Sequence, residues 1–452
     1  MTNKYKEPGS LSKLNDHPKV IVKFKDDVIL PYEDNANRYL EGIGIFGWEK
    51  LFSGFGLNKL FRLTTQAQMK SLVLRARRFS PKYKPPNFFT YFRLNAPPGA
   101  HPEEIVPRLL NWSNRVQYAY VAPVDTEPQV GLNDPRYSGG CQGYLGPASG
   151  GGVDAELAWQ FIGGDGFNQD FGDVERGWQI PHPDLGNVTL VNGCQNQFSD
   201  PQLHGANTLG VVCGIANNFT GGTGIAPNLR QVILTSRDCA GTTSDAIFAS
   251  TSYLSKAGSV LLVEAQSNFL PVETWPDCFD VIEAAVAAGI VVIEPAGNGP
   301  MDLDTVTLFG ENILKRDDSK FKESGAILVG AATSTPPHQC MPSSNFGSRV
   351  DCFAWGENVY AAGFDVGNSS TNCSDVNIFD GTSSASAIIA GVALAVQGIA
   401  EHKWGLRFKP IQLRDILKTG GTPCNLPADR PIGVMPNLAK VIPIVLSSAP
   451  QI

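Results

Sequence analysis

Several things are scarce or missing in this 452-residue chain. Its nine cysteines include no Cys-x-x-Cys pair, which argues against a zinc ribbon or thioredoxin-like redox chemistry. No Gly-x-Ser-x-Gly occurs, so the nucleophile elbow of lipases and esterases is not expected. The opening residues MTNKYKEPGSLSKLNDHPKV hold no apolar run of the secretory kind. The longest strongly apolar run, 387–396, is too short for a bilayer, so no membrane span is expected. Internal repeats and low-complexity tracts are absent. Acidic residues are missing from 51–100, which carries nine Lys or Arg. Histidine is scarce, and of the six only His182 and His204 lie in motif-like surroundings.

What is present describes a large globular protein. Apolar residues make up 42% and charged residues 17%, with room for two or three domains. The net charge of -7 is unevenly spread. Residues 1–128 carry 19 basic and 12 acidic side chains, and the remainder carries 17 and 31. Two parts of opposite sign suit two domains able to bind each other. A soluble protein is expected. Its compartment is open, although the cysteines and the Asn-x-Ser/Thr sequons at Asn111, Asn187, Asn218, Asn368 and Asn372 would permit export.

Along the chain, VIVKFKDDVIL, FTYFRLNAP and RVQYAYVAPV read as strands, and PEEIVPRLLNW reads as a helix. The basic, Pro-punctuated RARRFSPKYKPP reads as an exposed loop. This pattern predicts a small α/β sandwich over 1–128. A Pro/Gly-rich linker over 129–152 follows. From 153 to 445, short apolar strands (QVILTS, SVLLVEAQS, GIVVIEPAG, GAILVGAAT) alternate with helices (TSDAIFASTSYLSKAG, CFDVIEAAVAAG). Continuous apolar strands alternating with helices predict an α/β, doubly wound, mostly parallel sheet covered on both faces. Active sites in such sheets form at the carboxyl ends of the strands. Residues 446–452 form a tail.

The stretch FDGTSSASA, running into IIAGVALAVQ, puts Ser383 where a polar turn becomes a helix. The first backbone N–H groups of a helix are unpaired and carry partial positive charge. A serine there could attack a carbonyl and donate its own N–H to the resulting oxyanion. It could equally be an ordinary helix cap. His204 opens HGANTLGVVCG, whose Ala206, Gly210 and Gly214 share one helix face and allow close approach to the helix after Ser383. Asn298 lies in EPAGNG, a tight turn that also suits an asparagine in left-handed backbone. Asp173 lies in DFGDVERGWQIPHPDL, with Asp170 and Asp184 as rivals.

Taken together, Asp173, His204, Asn298 and Ser383, each in its motif and in this order, resemble the subtilase family of subtilisin-like serine peptidases. GIAP, GAILVGAAT, SSNFGSRVDCFAWGENV and GVMPNL are similar to structural signatures of that family, and the likeness covers 135–445. The aspartate segment departs from the usual Asp-Thr/Ser-Gly pattern, with a longer spacing to its HPDL end. Ala206 and Ala387 replace the family's Thr and Pro.

The resemblance implies a serine endopeptidase acting on polypeptides through an acyl-enzyme. Ser383 would be the nucleophile, His204 the general base, Asp173 its orienting carboxylate and Asn298 an oxyanion donor. It also implies that Glu264, Ala265, Gln266, Ser267, Pro295, Ala296 and Gly297 line the substrate cleft. Glu264 and Glu294 could favour basic side chains there, or pair with buried donors elsewhere. No cofactor is required. Calcium sites are frequent in the family, but no loop here has clear ligand spacing, and no metal ligand is assigned. Residues 1–128 resemble a subtilase prodomain, which implies a self-processing zymogen inhibited by its own N-terminal domain and working as a monomer. Two rival readings are a pseudoprotease and a protein that binds anionic partners through 59–93, although no nucleic-acid motif is present.

Overall fold

The computed structural model describes residues 19–61, 65–79, 85–95, 102–121, 134–195, 199–308, 310–360, 362, 378–424 and 427–451. The chain divides into two compact units, Met1–Glu127 and Pro128–Ile452.

In the first unit, β1 (Lys19–Phe24), β2 (Gly56–Lys59), β3 (Tyr91–Asn95) and β4 (Val116–Val121) form an antiparallel sheet in the order β2-β3-β1-β4. Alternation along β1 turns Val20, Val22 and Phe24 inward, where they meet Phe92, Leu94 and Val116. Two helices, α1 (Gln66–Phe79) and α2 (Pro102–Leu110), add Met69, Ile105 and Leu109 to this core. The small α/β sandwich is therefore present. The loop expected over RARRFSPKYKPP is not, as far as 79: residues 75–79 complete α1. Of the basic stretch 59–93, residues 62–64 and 80–84 lie outside the described residues.

The second unit is built on a nine-stranded sheet. Its strands are β5 (Asp170–Glu175), β6 (Thr189–Leu190), β7 (Gln231–Ser236), β8 (Val260–Val263), β9 (Val291–Pro295), β10 (Ile327–Ala332), β11 (Cys352–Trp355), β12 (Gly421–Pro423) and β13 (Val434–Pro436). They lie in the order β12-β13-β11-β10-β9-β8-β5-β7-β6, and every pairing is parallel except that of the edge strand β12.

Each face of the sheet has its own core. Val260, Leu262, Val291 and Ile293 pack with α3 (Ser199–Cys213) and α6 (Gly381–Trp404). Leu261, Val263 and Val292 pack on the other face with α4 (Thr243–Tyr253) and α5 (Pro276–Ala287). Two further helices, α7 (Pro410–Thr419) and α8 (Leu438–Ser447), complete the α3/α6 face. A disulfide joins Cys194, after β6, to Cys239, after β7.

One expectation changes here. The linker does not reach 152. From Asp134 onward the chain belongs to the second unit: the buried Asp134 carboxylate accepts from the Asn217 and Asn218 N–H groups and from Thr223 Oγ1, and Tyr144 and Leu145 enter the core. The apolar run around 387–396 is part of a 24-residue helix that by length and composition could cross a membrane. Its apolar window is 94% buried inside the unit, so it is a core helix. The small-residue face of α3 shares one core with α6, and at Gly210 it also touches Ala362, since a Cβ there would lie 2.5 Å from the Ala362 nitrogen.

Candidate active site

Four elements meet at the carboxyl ends of β5, β8 and β9: the ends of those strands, the first turns of α3, the turn after β9, and the start of α6. Side chains alternate along β5, so Phe171, Asp173 and Glu175 share the face turned to α3 and α6, while Val174 enters the opposite core. Asp173 sits one pleat below the end of the strand and Glu175 at the end itself.

That difference decides their partners. Glu175 Oε1 makes a short hydrogen bond with His204 Nδ1 and is reached at 3.4 Å by the Thr208 hydroxyl, one turn along α3. Its other oxygen accepts from the Arg176 N–H at 3.2 Å. Asp173 is fully buried and accepts from Trp178 Nε1 at 2.7 Å, and its other oxygen has no hydrogen-bond partner among the described residues. The carboxylate on His204 is thus Glu175, where the sequence pointed to Asp173. Burial first, and then the Glu175 charge, push the Asp173 pKa well above the usual carboxylate range, against the Trp178 bond. The rivals lie elsewhere. Asp170 pairs with Arg230 at 2.5 Å at the start of β5, and Asp184 accepts from the Gly222 N–H and the Asn218 amide.

His204 stands in the first turns of α3. The following Gly205 lets that turn touch the loop after β5, since a Cβ there would lie 2.3 Å from the Gly177 carbonyl oxygen. The imidazole side chain is 38% exposed and meets the edge of Phe379, four residues before Ser383, at 5.2 Å between centroids. Burial opposes its positive charge, and so does Arg237, but the charge and hydrogen bond of Glu175, with Glu264 behind it, push its pKa up to about 9. His182 is buried, and its Nδ1 accepts from the Asp184 N–H.

Ser383 lies in the first turn of α6, which begins at Gly381 with a φ of 85° that favours glycine. Thr382, Ser384, Ala385 and Ser386 around it are buried, and Ser383 alone in this run is partly exposed. Asn298, in the turn after β9, accepts through Oδ1 from both the N–H (2.9 Å) and the hydroxyl (3.1 Å) of Thr382. The amide is thus fastened to Thr382, the residue that precedes Ser383. The Asn298 N–H in turn donates to Gln266 Oε1 at 2.7 Å.

The expected cleft segments follow the neighbouring strands. Gln266 and Ser267 pair with Leu270 and Pro271 in a short ribbon, while Ala265, Pro295 and Ala296 are buried. The Gly297 carbonyl accepts from the Asn345 N–H. Neither acidic residue floors an open pocket. Glu264 is buried and accepts from Ser386 Oγ at 2.6 Å. Glu294 lies by alternation on the opposite sheet face, where its carboxyl accepts from the Glu273 N–H, close to Arg349. Burial, then the Glu273 charge, raise the Glu294 pKa well above the usual range, although Arg349 pulls the other way.

Sequence reasoning missed Glu175 as the partner of His204, and Thr382 and Gln266 as the holders of Asn298. For Glu175 a signal existed. Starting the motif at Glu175 gives a carboxylate-x-Gly pattern, Glu175-Arg176-Gly177, and removes the two residues that made the spacing to His182-Pro183-Asp184-Leu185 too long.

A model described as the subtilase family matches residues 184–423, more than half of the chain and inclusive of His204, Asn298 and Ser383. The chain belongs to the subtilase family. This subtilase is by class a serine-type endopeptidase. It is 27% identical over 312 residues to a thermophilic serine proteinase of a Bacillus species, covering 65% of this chain and 67% of that protein. It is 26% identical over 202 residues to an extracellular protease of Xanthomonas campestris, covering 44% of this chain and 33% of that one. A solved structure of proteases from Pseudoalteromonas arctica is similar at 19% identity, over 70% of this chain and 99% of that chain, with a TM-score of 0.48.

Proposed function

We propose that this subtilase hydrolyses peptide bonds through Ser383, His204 and Glu175. The observation that carries the reading is the bond between His204 Nδ1 and Glu175. It occupies one ring nitrogen and leaves Nε2 to receive a proton. Ser383 Oγ gives that proton to Nε2 as it attacks the carbonyl carbon. Glu175 fixes the tautomer and stabilises the imidazolium. The Asn298 Nδ2 and the Ser383 N–H receive the oxyanion. His204 then protonates the leaving amine, and water, deprotonated by His204, releases the acyl group. Hydrolysis of a denatured polypeptide should vanish in Ser383→Ala and in His204→Ala. Hydrolysis retained in both variants would leave the chain without this mechanism.

Asn298→Ala should lower kcat by about 10²–10³-fold, a magnitude taken from the like substitution in subtilisin, and change KM little. The oxyanion forms only in the transition state, so its donor has little to bind in the ground state. A variant that raises KM and spares kcat would show that Asn298 holds substrate instead.

The reading extends to the first unit, proposed as a prodomain that inhibits the second and is then removed. It has its own core and a charge opposite to that of the second part. Purified protein should shorten itself between Val121, where β4 ends, and the buried Asp134, while Ser383→Ala stays at full length. A separately made 1–127 fragment should inhibit the processed enzyme, less strongly as salt rises. A fully active enzyme that keeps 1–127 attached, with no inhibition by the fragment, would make this unit a permanent accessory domain. Export fits the Cys194–Cys239 disulfide, because such bonds persist in oxidising compartments.

A further inference from the structure

A second carboxyl group stands at the site, and the mechanism above does not use it. Glu264 follows β8, and its N–H donates to the Val174 carbonyl at 3.0 Å. Val174 pairs with Val263 in the register, so Glu264 is the cross-strand neighbour of Glu175, on the face turned to α3 and α6. Its Oε1 accepts from Ser386 Oγ at 2.6 Å, and the same hydroxyl donates to the Ser383 carbonyl at 2.9 Å. Its Oε2 is buried and has no hydrogen-bond partner among the described residues. A ring nitrogen of His204 and one carboxyl oxygen each of Glu175 and Glu264 all lie within 4.8 Å of one another. A buried carboxyl oxygen left unpaired needs an explanation.

We infer that Glu264 is a positioning residue for the hydrolytic reaction: it fixes the first turn of the nucleophile's helix through Ser386 and, beside Glu175, places a second carboxylate against the imidazolium that forms when Ser383 gives up its proton. This rests on the reading of Ser383, His204 and Glu175 given above. Among the described residues, the charged groups facing His204 are few. Glu175 and Glu264 come from the ends of β5 and β8, and Arg237, after β7, opposes them. The Asp173 carboxyl lies one pleat deeper, and among the described residues α6 offers the hydroxyls of Ser383 and Ser386. Burial and the Glu175 charge push the Glu264 pKa up to about 8, against the pull of the His204 charge and the Ser386 and Ser383 hydroxyls. Since Glu264 loses its proton near 8 and His204 near 9, Glu264 is mostly charged as the ring is deprotonated, and that charge holds the proton on the ring.

The consequence is an alkaline acid limb in the pH profile, with the base neutral, and the enzyme active, only as pH approaches about 9. Glu264→Gln keeps an acceptor for Ser386 and removes only the charge. It should move the acid limb of kcat/KM down by about one pH unit, since an opposite charge within ~4–6 Å shifts a pKa by about 1–3. At the alkaline plateau kcat should fall about tenfold with KM little changed. The His204 ring, followed by NMR in the Ser383→Ala background, should titrate lower by the same interval. Ser386→Ala removes the anchor and keeps the charge, so its limb should stay in place while kcat falls. An unmoved limb and an unmoved His204 titration in Glu264→Gln would overturn the inference. Should that variant fail to fold, Glu264→Asp, which draws the charge back by one methylene, carries the same test with a smaller downward shift expected and an unmoved limb again overturning it. Glu175→Gln, assayed in parallel, separates the two claims. Wild-type activity in that variant would bring down the reading of the site itself, whatever Glu264 does.

Discussion

Glu175→Gln is expected to lower kcat/KM by about 10³–10⁴-fold, whereas Asp173→Asn should stay within about tenfold of the unmodified protein. The first figure is that of removing the charge from the carboxylate of a serine-histidine-aspartate triad, where the amide leaves the wrong tautomer in place and cannot stabilise the imidazolium. Glu175 is the group in that position, bonded to His204 Nδ1. Asp173 is fully buried beneath it and bonded to Trp178 Nε1. Burial and the Glu175 charge raise its pKa and so favour its neutral form, and an asparagine oxygen can accept from Trp178 equally well. The sign for stability follows. A carboxyl whose folded pKa is raised stabilises the fold fully below its unfolded pKa of about 4, and loses that contribution as pH rises through the folded value. Asp173→Asn should therefore flatten the decline of stability above pH ~4. Steady-state kinetics and urea midpoints on the two variants check both statements. Loss of activity in Asp173→Asn with Glu175→Gln unaffected would reverse the assignment.

Arg349→Met should destabilise the second unit by about 3–5 kcal/mol, the usual consequence of breaking a buried ion pair from one side. Arg349 is fully buried, with Nη2 on Glu273 Oε2 and Nη1 on Asp351 Oδ2, each at 2.7 Å. Burial opposes its charge, yet Glu273 and Asp351 raise its pKa still further above its ordinary value. Without Arg349, the buried carboxyls of Glu273, Glu294 and Asp351 keep neighbours such as Ser324 and Arg316 but lose the cation between them. Chemical denaturation in the Ser383→Ala background, which prevents self-digestion, measures the loss. A change below about 1 kcal/mol would mean that the carboxyls take up protons and share them at little cost. This cluster also explains why Glu294 does not set specificity, since it is spoken for on the far side of the sheet.

The sheet was legible because strands buried on both faces have no polar side to hide. QVILTS, SVLLV, GIVVIEP and GAILVGAA stand out for that reason, and β7 to β10 fall within them. Ser383 was legible because the sequence turns from polar to uniformly apolar at the start of α6. The choice between Asp173 and Glu175 was harder. A period of two puts both on one face, and only the point at which β5 ends selects the one that meets α3. Charge misled at residues 75–79, where a run without acidic residues read as a loop. Gln, Ala, Met, Leu and Arg are all good helix formers, and α1 uses them. Glycine and proline misled over 134–152, where turns are held in the core by Asp134, Tyr144 and the Trp355 indole, which donates to the Gly151 carbonyl at 2.6 Å.

The most direct measurement is the rate and position of labelling by a fluorophosphonate, which reacts only with a serine activated by its neighbours. Mass spectrometry should find the label on Ser383, at equal rates in the unmodified protein and in Asp173→Asn, and slowed by about 10³-fold or more in Glu175→Gln and His204→Ala. A label on another serine, or undiminished labelling in Glu175→Gln, would contradict the site.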